Sequence, residues 1–187
     1  MAWMIDPAHT SVGFNVRHLG LSTVRGEFAR FSGEIELDPQ DLTKARGRAQ
    51  IETASVTTGN NDRDAHLRSA DFFDAERFPT MTFEIKRVEG KGDNYSVVGD
   101  LTIKDVTREV ELRYEHAGEA TDPFGNHKVG GSLTGSINRR DFGLTWNAPL
   151  EAGGWLVADK VNLVIDGQLA ESKKAVEQEV AAETASR

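Results

Sequence analysis

Apolar and polar residues alternate with a period of two along most of this chain. Ser11–Arg17 places Val12, Phe14 and Val16 on one face. Val24–Leu37 does the same with Val24, Gly26 and Phe28, then, after a slip in register, with Phe31, Gly33, Ile35 and Leu37. Arg46–Val56, Thr80–Val88, Tyr95–Ile103, Glu109–His116, His127–Ile137 and Lys160–Leu169 follow the same rule. Strict alternation marks a strand with one face on an apolar interior and the other in water. Gly90–Asn94, Lys104-Asp105 and Asp122–Asn126 supply tight turns between the runs. Eight strands joined mostly by short turns predict an all-β antiparallel meander. A sheet of that size removes its exposed edges by closing into a barrel.

One segment departs from this period. Asn60–Phe73 opens on residues that cap helices, carries Asp62 and Asp64 in its first turn, and has helix-compatible interior residues. It predicts one short helix between the third and fourth strands, lying over the barrel or its mouth. Asp64 and Arg68 are spaced i,i+4 for a surface ion pair. Phe72, Phe73 and Phe78-Pro79 follow as a dense aromatic stretch that reads as a cap on the core, with direct ligand contact as the alternative. Trp146 and Trp155 bracket a Gly- and Pro-bearing loop that suits the other side of a mouth. Ala170–Arg187 is rich in Ala and Glu, without Gly, Pro or aromatics, and reads as a loose helix or a disordered tail.

The 187 residues amount to one domain, and 38% hydrophobic residues suffice for one sizeable core. No apolar run approaches the roughly 20 residues of a membrane-spanning helix. The N-terminus has neither a basic n-region nor an apolar h-region, so the expected compartment is the cytoplasm. The chain has no cysteine, which excludes disulfides, thiolate nucleophiles and iron–sulfur clusters. A net charge of −8, with no large basic cluster, argues against nucleic-acid binding.

An eight-stranded barrel is just wide enough to be filled by side chains or to hold one ligand. Its inward positions include glycines near Gly13 and at Gly33, Gly99, Gly131 and Gly135. These mark either bends in the wall or space kept for something else. Catalytic chemistry has little anchor: there is no GxSxG, GxGxxG, Walker loop or HExxH. Asp62 and His66 are spaced i,i+4, but one carboxylate and one imidazole do not make a metal site. We assign no catalytic residue, no metal and no cofactor.

Several motifs in sequence are more specific than any of these. Trp3-x-Ile5-Asp6-Pro7-x-His9-Thr10-x-Val12-x-Phe14-x-Val16-x-His18 and Val24-x-Gly26-x-Phe28-x-x-Phe31-x-Gly33 resemble the first hairpin of the YceI-like family. Thr58-Gly59, Arg63-Asp64-x-His66-Leu67-x-Ser69-x-Asp71-Phe72-Phe73-Asp74 and Phe78-Pro79-x-Met81-x-Phe83 are similar to its helical insertion. Gly99-Asp100-Leu101-Thr102-Ile103-x-x-Val106-Thr107-Arg108 and Ile137-Asn138-Arg139-x-Asp141-Phe142-Gly143-Leu144 complete the resemblance over residues 3–169. Thr10 stands where some relatives have Ser and keeps the hydroxyl.

The resemblance implies a lipocalin-like barrel whose interior takes polyisoprenoids or related long-chain amphiphiles, and a carrier rather than an enzyme. Many relatives are exported; without a visible signal, this chain is expected to be cytoplasmic. The expected ligand-facing residues are Phe14, Val16, Phe28, Phe31, Met81, Phe83, Leu101, Leu112, Phe142 and Trp146. His18, Arg63, His66, Arg139 and Arg140 are candidates to meet a polar head group, because Arg forks suit phosphates and carboxylates. Ion pairs of Arg63 with Asp64 and of Arg139 with Asp141 are the competing reading. A barrel packed solid, acting as a structural or interaction protein, and an enzyme using His18 or His66 stay open as alternatives. Homodimerisation through an outward strand face is also open, although those faces are largely charged or Thr.

Overall fold

The computed structural model describes residues 1–172, so most of the proposed tail lies outside the described residues. The strands are β1 (Ala2–Ile5), β2 (Ser11–His18), β3 (Ser22–Phe28), β4 (Phe31–Glu36), β5 (Arg46–Glu52), β6 (Val56–Thr57), β7 (Thr80–Lys91), β8 (Asn94–Ile103), β9 (Val106–Thr121), β10 (His127–Asn138) and β11 (Val157–Glu171). The one α-helix among the described residues is α1 (Asn61–Arg68). All pairings are antiparallel. β1 and β2 both lie along β11, β4 and β3 pair with them in turn, and β5 and β6 continue beside β4 and β3. Each of these three couples is therefore one barrel strand broken by a bend. The wall is a closed eight-stranded barrel in chain order, sealed where the first strand meets the last.

The bends have specific causes. Between β1 and β2, the Asp6 carboxylate accepts from the Ala8 N–H at 3.0 Å, from His9 Nδ1 at 2.9 Å and from Lys128 Nζ at 2.7 Å. The Lys128 ammonium is the main cause that lowers the Asp6 pKa to about 2. The Thr10 hydroxyl exchanges hydrogen bonds with the backbone C=O and N–H of Gln168, replacing the interrupted ladder. Gly167 is required there, since a Cβ on it would lie 2.4 Å from that hydroxyl oxygen. Between β3 and β4, the Arg30 N–H donates to Ser55 Oγ at 3.0 Å and the Ala29 N–H to the Ser55 carbonyl at 3.1 Å.

The two ends of the barrel differ. The N-terminal end is closed by a cluster of Trp3, Ile35, Leu37, Leu42, Ala45, Val88, Val97 and Val129. Trp3 is fully buried and its indole N–H donates to the Leu37 carbonyl at 3.2 Å. At the opposite end, α1 and the segment after it lie against Phe28, Val56, Met81 and Ile103. Asn60 caps α1 as expected, accepting from the Arg63 N–H at 2.9 Å, but the helix stops at Arg68, short of the predicted Phe73.

Candidate functional site

Between the two ends lies a cavity of about 490 Å³, within the roughly 300–1,000 Å³ common for small-molecule sites. The inward sets of the alternating strands form its wall, so the barrel is not filled by its own side chains. Phe14, Val16, Phe28, Phe31, Met81, Phe83, Leu101, Leu112 and Trp146 all line it, as their periodicity predicts. Phe142 does not. It sits in a 3-10 turn, Arg139–Phe142, where period two says nothing about direction, and it is packed 2% exposed into the core instead. Thr58, Leu133, Ile137, Leu156, Val161, Leu163 and Ile165 also line the cavity and were not singled out. The strand members among them were legible in the alternation of 127–137 and 160–169.

The inward glycines make room for neighbouring side chains, and Gly131 also sits at a register shift between β9 and β10. A Cβ on Gly99 would lie 2.5 Å from the Phe83 ring, and one on Gly131 would lie 2.5 Å from the Tyr114 ring. Gly33 and Gly135 stand in the same relation to Ile5 and Leu112, at 2.6 Å. The missing side chains let a neighbour lie flat along the wall, which keeps large residues out of the centre. Among these inward large residues, Tyr114 has its hydroxyl donating to the Gly130 carbonyl at 3.1 Å, and burial pushes its pKa up to about 12. It is neutral at physiological pH.

Charge is distributed unevenly around this space. The lining contains Arg17, His18, Arg63, His66 and Arg139 and no Asp or Glu, in a chain of net charge −8. All five lie at the helix-covered end. His66 shares a hydrogen bond with Asp71 at 2.8 Å, and its ring stands edge-on to Trp146 and Phe72, with centroids 4.6 and 5.0 Å apart. His66 thus ties α1 to the Trp146 loop while lining the cavity.

The expected ion pairs are not formed. Arg63 donates to Thr58 Oγ1 at 2.7 Å and to the Thr58 carbonyl at 2.9 Å. Asp64 is buried and accepts from the Thr58 N–H at 2.8 Å and its hydroxyl at 2.6 Å, leaving it unpaired with Arg68 as well. Arg139 is 3% exposed, and burial lowers its pKa. It donates to the carbonyls of Leu144, Trp146, Ala158 and Val157, and its ion-pair partner is Asp159 at 3.6 Å, not Asp141. Arg140 also pairs with Asp159, at 2.9 Å. Arg139 therefore locks the mouth loop to β11, with its N–H groups committed to backbone carbonyls.

The comparisons with known proteins agree with this geometry. The model of the YceI-like domain family matches residues 3–169. This chain belongs to the YceI-like family. A UPF0312 protein of Staphylococcus aureus is 40% identical over 158 residues, which are 83% of this chain and 90% of the relative. Among solved structures, a YceI protein of Campylobacter jejuni is 36% identical, covers 90% of this chain and 97% of its own, and superposes with a TM-score of 0.73. A polyisoprenoid binding domain from Saccharophagus degradans shares the fold at 13% identity and a TM-score of 0.67, over 91% of this chain and 98% of that one. The barrel runs two residues past the predicted boundary at residue 169: Ala170 and Glu171 belong to β11, and the Ser172 N–H donates to the Ala2 carbonyl.

Proposed function

We propose that this YceI-like protein holds a polyisoprenoid or a similar long-chain amphiphile in its barrel and acts as a carrier without converting it. The observation that carries the reading is the cavity itself: an apolar space running the barrel's length, with every charged group at one end. An apolar tail in that space leaves water, at roughly 25 cal/mol per Å² of buried area, less the cost of ordering it. The Saccharophagus degradans domain with the same fold is a polyisoprenoid binder, which supports the class of ligand. Cations without facing carboxylates suit an acidic head, a phosphate or a carboxylate, near Arg17, His18 and Arg63. Transport of such a ligand in the cytoplasm is part of the same proposal.

Native mass spectrometry of the protein as purified from cells, followed by organic extraction, tests it. A co-purifying mass that extracts as a prenyl or fatty lipid is the expected result. A bare polypeptide that stays bare after incubation with prenyl phosphates would overturn the reading. Turnover of an added amphiphile that His18→Ala or His66→Ala abolishes would replace it with an enzyme.

A further inference from the structure

The rim beside the charged end carries large apolar side chains that the interior does not use. Leu21 is 80% exposed, Trp155 58% and Leu19 41%. They stand on two neighbouring loop tips, the β2–β3 hairpin and the loop before β11, joined by a hydrogen bond from the Leu19 N–H to the Leu156 carbonyl at 2.9 Å. Gly20, Gly153 and Gly154 at these tips have φ values of 68°, 87° and 92°, conformations that turn the chain sharply and leave its neighbours pointing outward. His18 and Leu156, next to these tips, line the cavity, so the apolar rim and the apolar interior are continuous.

Two guanidinium groups accompany the rim. Arg17 donates to the Gly20 carbonyl at 2.9 Å and to Thr23 Oγ1 at 3.3 Å, and Arg63 donates only to Thr58. Neither has a carboxylate within ion-pair distance among the described residues. The far end also exposes Met1, Met4 and Phe124, but its cations are compensated, Lys128 by Asp6 and Asp122 and His127 by Glu119 and Glu171. A tryptophan and leucines beside uncompensated arginines match the boundary of an anionic bilayer, where an indole sits at headgroup level and cations meet phosphates.

We infer that this rim docks on an anionic phospholipid bilayer, with Leu21 and Trp155 entering the headgroup boundary, so that a lipid passes between bilayer and barrel without crossing water. The inference rests on the reading of the cavity as a lipid site. Its test is co-sedimentation with phosphatidylcholine vesicles and with mixed phosphatidylcholine–phosphatidylglycerol vesicles, compared for wild type, the Leu21→Ser/Trp155→Ser double variant and Phe124→Ser.

Wild type is expected to bind the mixed vesicles best, with added salt weakening it. The double variant should lose at least about tenfold in partition, while Phe124→Ser keeps wild-type binding. Trp155 emission should shift to the blue on binding, a shift that Trp155→Phe removes because Trp3 is wholly buried and Trp146 is packed against His66 and Phe72. Thermal melts and native mass spectra of each variant report folding and cavity occupancy separately. A rim variant that is folded and loaded yet fails to bind vesicles supports docking. Wild type that ignores both vesicle types, equal loss in Phe124→Ser, or a wild-type dimer that the double variant abolishes would each overturn it. An empty cavity with intact vesicle binding would leave docking standing and remove the carrier reading.

Discussion

The two ends of this barrel use the same strands for opposite purposes. Trp3 is fully buried and takes no part in the cavity wall, while Ile35, Leu37, Val97 and Val129 beside it are buried and form the floor of the cavity. Midway and toward α1, inward residues such as Phe14, Phe83, Leu101 and Leu163 keep part of their surface facing the cavity. The difference shows a separation by degree along the barrel axis, with burial fullest at Trp3 and more surface left facing the cavity midway. The Trp3 end gives the cavity a floor of buried side chains, and the middle of the wall forgoes some burial to keep the space open. Polar groups divide the same way, with Asp6 and Lys128 paired at the Trp3 end and uncompensated arginines at the other.

Truncation measures that separation most directly. Trp3→Ala should cost about 3–5 kcal/mol in urea denaturation, as for other large buried side chains. Leu101→Ala or Leu163→Ala, removing groups that already face a void, should each cost less than about 2 kcal/mol. Equal losses at both places would erase the distinction. Arg139→Met removes the donor to four backbone carbonyls at once and should cost about 2–4 kcal/mol, with the mouth loop loosening first in hydrogen exchange.

Filling the space sharpens the comparison from the other side. Leu163→Trp places a larger group in the cavity and should abolish co-purified lipid in native mass spectra while changing the melting temperature little. The smallest effect belongs to pH. Asp6 has its pKa held below the unfolded value of 3.8 at about 2, so its contribution is complete at neutral pH. That contribution is lost as pH falls from about 4 through about 2, amounting to at most about 2 kcal/mol. Asp6→Asn should flatten this acid limb in equilibrium unfolding followed by circular dichroism.

The wall of the cavity was legible because alternation is imposed wherever one face of a strand meets an apolar interior. Leu101, Met81 and Val16 announce their direction through their neighbours alone. β1 was missed as a strand because four residues show too little period to count, although Trp3 on it is fully buried. Phe142 was misplaced because a 3-10 turn has no period of two. Partners of charged groups were the least legible. Arg139 takes Asp159, twenty positions away, because antiparallel pairing of β10 with β11 sets Asn138 opposite Lys160, and sequence proximity to Asp141 carries no such information. The glycines at 99 and 131 state only that a side chain is missing; the ring that lies over each one comes from another strand.

The seam between the first strand and the last sets an order of events in time. Trp3 is opposite Glu171, and Ile5 is opposite Leu169. A ribosome delivers the first of these residues long before its partner exists, so the apolar inner face stays unenclosed until β11 has emerged. Pairing across so much intervening chain makes closure a late and slow step. For that interval the nascent protein presents an unpaired sheet edge to its surroundings, a hazard that the finished barrel no longer has.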